Sequence, residues 1–238
     1  MRPFDDPVYV REQYATENGL EARRSLYGDT TGPDAREVAF GAVAEVAPRK
    51  VLEVGCGPGE AAERIARELD ADVVAIDQSE RMVELARARG VDARVGDAQK
   101  LEFADGEFDC VLAAWMLYHV RDVDRALAEM ARVLRAGGRL VAVTNATDHL
   151  AELWRLVGIE RIAHTFGREN GAELLGRHFP LVERRDLDGT VAVHDAEAAR
   201  TYLASSSRAR PLVDRLPELE QPLVARLRVT VFVAESAG

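Results

Sequence analysis

Short apolar runs alternate with amphipathic segments along most of the chain. The runs Val51–Val54, Asp72–Ile76 and Phe108–Trp115 have the length of buried strands. Apolar residues in the segments between them recur at intervals of three and four, which is the period of a helix packed on one face. Strands that alternate with helices predict an α/β fold, with a mostly parallel sheet and helices on both of its faces.

The same pattern predicts the elements of the rest of the chain. Helices are expected over 9–26, 34–46, 61–69, 79–89, 122–134, 148–162, 195–204 and near 211–216, and further strands over 91–95, 139–144, 181–193 and 226–234. We therefore predict an N-terminal helical arm at 1–48 and a domain at 49–238, with a helical lid inserted at about 145–180.

Three glycines follow the apolar run that ends at Val54. Gly55, Gly57 and Gly59 lie at alternate positions, directly before the helical segment Ala61–Leu69. Glycine adopts backbone angles that other residues avoid, and it lets a ligand touch the main chain. The N–H groups at the start of a helix point into the same space. A strand, a tight turn and a helix start in this order favour a nucleotide site, although any glycine-rich turn could share the pattern.

The acidic residues around this turn bear on the kind of nucleotide. The dinucleotide fingerprint is G-x-G-x-x-G, but here the third glycine comes one residue early and Glu60 stands where a small residue is needed. Glu53 places a second carboxylate before the turn, so a ligand with a positive centre is favoured over one with phosphates. The pattern Glu53-x-Gly55-x-Gly57-x-Gly59 resembles motif I of the class I S-adenosylmethionine-dependent methyltransferases, whose ligand carries a sulfonium and an ammonium.

Two further acids fall in the order that this resemblance implies. Asp77 ends the second predicted strand, 22 residues after Gly55, where a carboxylate can accept hydrogen bonds from ribose hydroxyls. Asp97 and Ala98 match the family element that meets the adenine. The residues that we expect to contact S-adenosylmethionine, and its product S-adenosylhomocysteine, are Glu53, Gly55, Cys56, Gly57, Gly59, Asp77, Gln78, Met82, Asp97, Ala98, Ala114 and Trp115.

The resemblance also implies a fold and a reaction. The fold is a Rossmann-like, doubly wound, seven-stranded sheet whose last strand is antiparallel. The reaction is transfer of a methyl group to an O, N or C nucleophile of a small molecule by in-line displacement. Two alternatives stay open: a non-catalytic protein that binds S-adenosylmethionine, and a nicotinamide-dependent oxidoreductase.

Candidate substrate contacts follow from the position of the predicted methyl group. His119 lies just beyond the fourth strand of the predicted domain and is the candidate general base, because histidine titrates near neutral pH. The alternative is that it only lines the pocket. Tyr14, Tyr118, His149 and Trp154 are further candidates, although aromatic side chains can equally pack in a core. The arm either shapes this pocket, with Tyr9, Tyr14, Arg23 and Tyr27 as polar contacts, or only covers the sheet.

Composition limits the kinds of partner and location that the sequence predicts. The net charge is −10, so the basic footprint expected of a nucleic-acid-binding domain is absent. No apolar run is long enough to span a bilayer, and we predict a cytoplasmic protein without a membrane partner. Cys56 and Cys110 form no metal-binding pattern and are predicted to be buried thiols, and no metal is expected. The predicted partner is a small molecule, of aromatic or polyketide type; its identity and the oligomeric state are left open.

Overall fold

Eight strands form one sheet in a computed structural model that describes Ala22 and residues 25–238. Their order across the sheet is β1-β7-β8-β6-β5-β2-β3-β4. The strands are β1 (Thr30–Thr31), β2 (Lys50–Val54), β3 (Asp72–Asp77), β4 (Asp92–Val95), β5 (Phe108–Ala114), β6 (Leu134–Asn145), β7 (Leu181–Val193) and β8 (Leu223–Glu235). Tyr9, Tyr14, Arg23 and all but the end of the helix expected over 9–26 lie outside the described residues.

Helices connect most of the strands. The α-helices are α1 (Ala35–Ala44), α2 (Glu60–Leu69), α3 (Glu80–Ala88), α4 (Val123–Val133), α5 (Ala151–Arg155), α6 (Gly171–Leu175) and α7 (Ala196–Ser205). Short 3₁₀ turns occupy Leu26–Gly28, Leu117–His119 and Arg210–Arg215. Four of these helices begin with a capping side chain. Asp34, Ser79, Asp122 and Asp195 accept hydrogen bonds from N–H groups in the first turns of α1, α3, α4 and α7.

The sheet has the predicted doubly wound topology. β2 pairs in parallel with β3 on one side and with β5 on the other, so the strand order switches between β2 and β5. β8 lies between β6 and β7 and is antiparallel to both. The predicted fold class is therefore confirmed. An eighth strand, β1, lies between the segments 9–26 and 34–46 that were expected to be helical, and it pairs with β7.

Apolar side chains form two cores on the faces of the sheet. Along β2, Leu52 packs in the cluster that includes Phe108 and Leu127, whereas Val51 packs in the cluster that includes Ile65. Neighbouring residues enter opposite clusters because successive side chains of a strand point to opposite faces. Both faces of the central strands are buried, and this accounts for the continuous apolar runs of the sequence.

A third apolar cluster lies beyond the sheet. It joins Leu153 and Trp154 to Tyr202 and Leu203 of α7 and to Val191 of β7. We call the residues 147–165 and 194–222, which enclose it, the roof. The ends of β7 and β8 extend past β6 and carry the roof. Residues 188–193 of β7 pair with β8 and β1 in this extension, which β6 does not reach.

One predicted helix in the roof is wrong. The helix expected over 148–162 is reduced to the five residues of α5. Leu150, directly before it, has a φ of 56°, and Gly158, three residues after it, has a φ of 81°, and neither angle fits a right-handed helix. Except for the half-buried Leu156, the leucine, isoleucine, valine and tryptophan side chains of this stretch are buried, so their spacing reflects the packing of an irregular chain. Among the described residues, no helix has both the length and the apolar character needed to cross a membrane.

Candidate functional site

A cavity of about 950 Å³ opens at the carboxyl ends of β2, β3 and β5. This is the point where the strand order switches, which is where ligands bind in open α/β sheets. The loop wall of the cavity consists of the lining residues from 34–40, 53–65, 76–78, 96–99, 112–116 and 120–121. The roof wall consists of those from 27–33, 118–119, 145–164, 187–189, 202–206 and 227–229.

The structure brings most of the predicted site residues to this cavity. All of the expected cofactor contacts line it except Gly59 and Met82, and so do Tyr118, His119, His149 and Trp154. Met82 is fully buried at the start of α3. Tyr14 lies outside the described residues. Residues that are more than 100 positions apart therefore meet around one space.

The three glycines of the loop have different tasks. A Cβ on Gly55 would come within 2.6 Å of the Met116 Cβ, and one on Gly59 within 2.7 Å of the Ala86 Cβ. These two glycines permit close packing, and Gly59 lets α2 approach α3. Gly57 has a φ of 53°, and a Cβ there would meet no atom within 4 Å. Gly57 is therefore the glycine of the loop that leaves space for a ligand at the main chain.

Asp77 fixes the glycine loop from the end of β3. Its Oδ2 accepts a hydrogen bond from the Gly57 N–H at 2.9 Å, and its Oδ1 accepts one from the Ser79 N–H at 2.9 Å. Burial raises the pKa of the Asp77 carboxyl, and these N–H groups oppose that rise. A carboxylate has about four acceptor positions, so Asp77 keeps capacity for ligand hydroxyls.

Glu53 is a buried carboxyl behind the same loop. Its side chain is 3% exposed, and Oε2 has no hydrogen-bond partner. Burial raises the pKa of Glu53 to about 8, and the nearby charges of Asp77 and Glu60 add to the rise. A buried carboxyl without a countercharge is costly to ionise. A cationic ligand in the cavity would supply that charge.

Asp97 is exposed after β4 and is held by its own turn. Its Oδ1 accepts from the Gln99 N–H at 2.9 Å and from Gln99 Nε2 at 3.0 Å. Gln99 Oε1 in turn accepts from the Asp122 N–H at 3.1 Å, at the cap of α4. Gln99 lines the cavity and was not predicted, although it stands two residues after the acid that was.

The end of β5 has a constrained backbone. Trp115 has a φ of 53°, which is uncommon for a residue with a side chain. Its N–H donates to the Val143 carbonyl at 2.8 Å, and its indole Nε1 donates to Asn145 Oδ1 at 3.1 Å. Bonds from both sides hold this conformation. The conformation of Trp115 turns the chain away from the end of β5 at Ala114 and leads it into the turn that carries Tyr118 and His119.

Aromatic and imidazole rings form part of the roof wall. The ring of Tyr118 lies 4.5 Å from that of His119 and 5.1 Å from that of His164, between centroids. Burial lowers the pKa of His164 to about 4. From α7, Tyr202 packs its ring edgewise on Trp154 at 6.0 Å. Tyr202 was not predicted as a site residue, because only the tertiary fold brings α7 over the cavity.

A buried histidine orients a tyrosine across the roof wall. His149 Nδ1 accepts a hydrogen bond from the Arg228 N–H at 3.0 Å, so its proton is on Nε2. Nε2 lies 3.3 Å from the Tyr27 hydroxyl oxygen and donates to it. Burial lowers the pKa of His149 to about 4, so the ring is neutral near pH 7.

Neither cysteine has the surroundings of a reactive thiol. Cys56 and Cys110 are buried, and burial raises the pKa of both thiols. Within the part of the chain that the structure describes, no group of three or more His, Cys, Asp or Glu side chains could hold a metal ion.

Comparison with known proteins gives a consistent result. Residues 52–142 match the family model described as a methyltransferase domain. The chain is 34% identical over 188 residues to a demethylmenaquinone methyltransferase of Renibacterium salmoninarum, a match that covers 77% of this chain and 69% of that protein. It is 36% identical over 143 residues to a 37.1 kDa transposon protein of Streptomyces fradiae, covering 57% of this chain and 38% of the other.

Solved structures show the same fold. A phosphoethanolamine N-methyltransferase 2 of Haemonchus contortus, in complex with phosphomonomethylethanolamine and S-adenosylhomocysteine, superposes with a TM-score of 0.66 at 18% identity. The match covers 99% of this chain and 60% of that one.

Proposed function

Because the chain belongs to the class I S-adenosylmethionine-dependent methyltransferases, we propose that its cavity binds S-adenosylmethionine against the loop wall and a small-molecule acceptor against the roof wall. When bound, the donor supplies a methyl group on a positively charged sulfur. The observation that carries the proposal is the buried, unpartnered Oε2 of Glu53 beside the open face of Gly57. The carboxyl of Glu53 has no countercharge, which a cationic ligand would supply. Gly57 leaves open space at the main chain, which the same ligand would fill.

The residues of the loop wall fit the donor in other respects. Asp77 accepts hydrogen bonds from the ribose hydroxyls through its remaining lone pairs, and Gln78 lies beside the nucleoside. Asp97 and the Ala98 N–H receive the adenine. Ala114 is small, so the backbone at the end of β5 comes close to the methionine part of the ligand. Met82 supports this wall from the core and does not itself contact the donor.

On the roof wall, the main task of the protein is to hold the acceptor in line with the methyl group in a space without water, since such positioning can supply much of a rate enhancement. His119 is the base that takes the proton of a hydroxyl acceptor. Tyr118 and Trp154 shape the space around it. If turnover of an accepted substrate were unchanged in His119→Ala, His119 would have no part in the mechanism.

Calorimetry with S-adenosylhomocysteine tests the donor site. In Gly57→Ala the new methyl group enters the space proposed for the ligand, so we expect at least tenfold weaker binding. Gly90→Ala is the matched control: Gly90 also has a positive φ, a Cβ there also meets no atom within 4 Å, and it lies outside the cavity lining. Both positions have a positive φ, 53° at Gly57 and 85° at Gly90, so a general effect of backbone strain should appear in Gly90→Ala as well, and only Gly57→Ala should lose affinity.

Two results would overturn the proposal. One is no measurable binding of S-adenosylhomocysteine or S-adenosylmethionine to the wild-type chain. The other is equal affinity in Gly57→Ala and Gly90→Ala, which would place the ligand away from the loop.

A further inference from the structure

Within the described part of the chain, most of the charged side chains that line the cavity are acidic. The acids are Asp34, Glu37, Glu53, Glu60, Asp77 and Asp97, and the permanent cations are Arg36, Arg64 and Arg121. The proposed donor ends in an amino acid, which carries a carboxylate as well as an ammonium group. The acids attract the ammonium and repel the carboxylate. The carboxylate is therefore expected beside one of the three arginines.

Arg64 is already bound to other groups. Its guanidinium donates two hydrogen bonds to the Glu37 carboxylate, at 2.6 and 2.8 Å, and one to Glu68 at 3.2 Å. The same guanidinium lies 3.9 Å from the centre of the Phe40 ring. Since these carboxylates balance its charge and use its donors, Arg64 has little left for a ligand.

Arg121 lies at the other end of the loop wall. It follows the turn that carries His119 and precedes Asp122, whose N–H donates to Gln99 Oε1 at 3.1 Å. Gln99 in turn donates to Asp97, the acid proposed to receive the adenine. Arg121 is therefore close to the end of the wall proposed for the base, and not to the glycine loop.

Arg36 is the arginine on the glycine-loop side. It belongs to the first turn of α1, whose residues Ala35 and Ala39 are buried in the same apolar cluster as Cys56 of the loop. Its N–H donates to Asp34 Oδ1 at 2.8 Å. Its guanidinium is exposed at the cavity and forms no ion pair or hydrogen bond with any residue that the structure describes. A guanidinium in this state can bind a carboxylate through two parallel hydrogen bonds.

We propose that Arg36 is the specificity-determining residue that receives the carboxylate of the amino-acid part of the donor. The site would then prefer S-adenosylmethionine and S-adenosylhomocysteine to adenosine compounds that lack this group. The inference rests on the proposed function, because it takes the loop wall as the donor site. It adds a contact that the glycine loop, Asp77 and Asp97 do not provide, since none of them carries a positive charge.

Three ligands that share adenosine test the proposal by calorimetry on the full chain. S-adenosylhomocysteine has the ammonium and the carboxylate, S-adenosyl-3-thiopropylamine keeps only the ammonium, and 5′-methylthioadenosine has neither. We expect the wild type to bind S-adenosylhomocysteine about tenfold more tightly than the decarboxylated amine, as for a hydrogen-bonded charge pair. Arg36→Met keeps the length of the side chain and removes its charge. It should abolish most of this preference and leave the affinity for the decarboxylated amine within about twofold.

Arg125→Met is the matched control. Arg125 is also an exposed arginine in the first turn of a helix, α4, and it lies outside the cavity lining. The variant makes the same change in net charge, so it should bind all three ligands like the wild type. Arg121→Met tests the other end of the loop wall and should keep the preference for S-adenosylhomocysteine.

Four results would overturn the proposal. The wild type could bind S-adenosylhomocysteine and the decarboxylated amine equally well, or Arg36→Met could keep the full preference. Arg36→Met could also weaken all three ligands alike, which would indicate a structural role, or the preference could be lost in Arg121→Met instead. Binding of 5′-methylthioadenosine reports the nucleoside part of the site separately. If the wild type bound none of the three ligands, the proposed function would fail as well, whereas a lost preference with the nucleoside still bound would remove only the role of Arg36.

Discussion

We expect ligand binding and protonation to be coupled at Glu53. With a pKa of about 8, the carboxyl is mostly neutral at pH 6. A cationic donor favours the ionised form, so binding releases a proton and the affinity for S-adenosylmethionine should rise with pH. We expect up to about a tenfold increase per pH unit between pH 6 and 8, and a plateau above pH 8. In Glu53→Gln this dependence should be absent.

The proton can be counted by calorimetry. Titrations at pH 7 in two buffers of different ionisation enthalpy give the number of protons released on binding. Glu53→Gln, measured in the same way, accounts for protons that come from the ligand itself. Equal proton release by wild type and variant would contradict the coupling.

His149 couples the stability of the fold to pH. Its pKa falls from 6.5 in the unfolded chain to about 4 in the fold, so between these values the unfolded state binds the additional proton. The contribution of the neutral ring is complete above pH 6.5 and is lost as the pH falls to 4. The shift corresponds to roughly 3 kcal/mol. Denaturant unfolding should show a smaller loss over this range in His149→Phe.

An exposed histidine provides the control for this measurement. His194 pairs with Asp29 at the surface, and both side chains are more than half exposed. Exposed ion pairs contribute little, so His194→Asn should lower the free energy of unfolding by less than about 1 kcal/mol. A loss as large as that in His149→Phe would mean that burial of His149 is not the cause.

At the scale of elements, strands and helix starts could be predicted, and the roof could not. The strands around Leu52 and Val111 are buried on both faces, so their residues are apolar whatever packs on them. Gly57 follows the end of β2 and Asp77 is the last residue of β3, so their positions follow from the strand ends. Tyr202 depends on how the chain between β7 and β8 folds back, and local sequence does not record that contact.

Arg168 joins the chain after β6 to the β7–β8 pair. Its guanidinium donates to Thr230 Oγ1 at 2.9 Å and to the carbonyls of Val229 and Leu187 at 2.6 and 3.3 Å. It also lies 2.8 Å from Asp188, while only 8% of its side chain is exposed. Since Leu187 and Val229 line the cavity, Arg168 holds part of the roof wall in place.

We expect Arg168→Ala to lower the free energy of unfolding by about 2–4 kcal/mol, because buried hydrogen-bonding groups lose their partner. Arg184→Ala is the comparison. Arg184 forms an exposed pair with Asp186 on the same strand, and its loss should cost less than about 1 kcal/mol. Guanidinium unfolding monitored by circular dichroism measures both. Similar losses in the two variants would show that Arg168 acts only as a surface charge.

At the scale of the whole molecule, the three apolar clusters suggest that the chain does not open as one unit. Two clusters share the sheet between them, whereas the cluster around Leu153 and Leu203 is held mainly within the roof and the extended ends of β7 and β8. Local opening of the roof would expose little of the other two. Such opening would admit an acceptor while the loop wall stays formed.

Hydrogen exchange can test this separation. At S-adenosylhomocysteine concentrations about 100-fold above its dissociation constant, ligand binding adds about 2.7 kcal/mol to any opening that breaks the donor site. Amides at 55–60 and 77–82 should then exchange up to about 100-fold more slowly. Amides of α7 should stay within about twofold of their unliganded rates, because the roof opens without disturbing the loop wall. Equal slowing in α7 and in the glycine loop would instead show a single cooperative unit, in which acceptor entry requires the donor site to open as well.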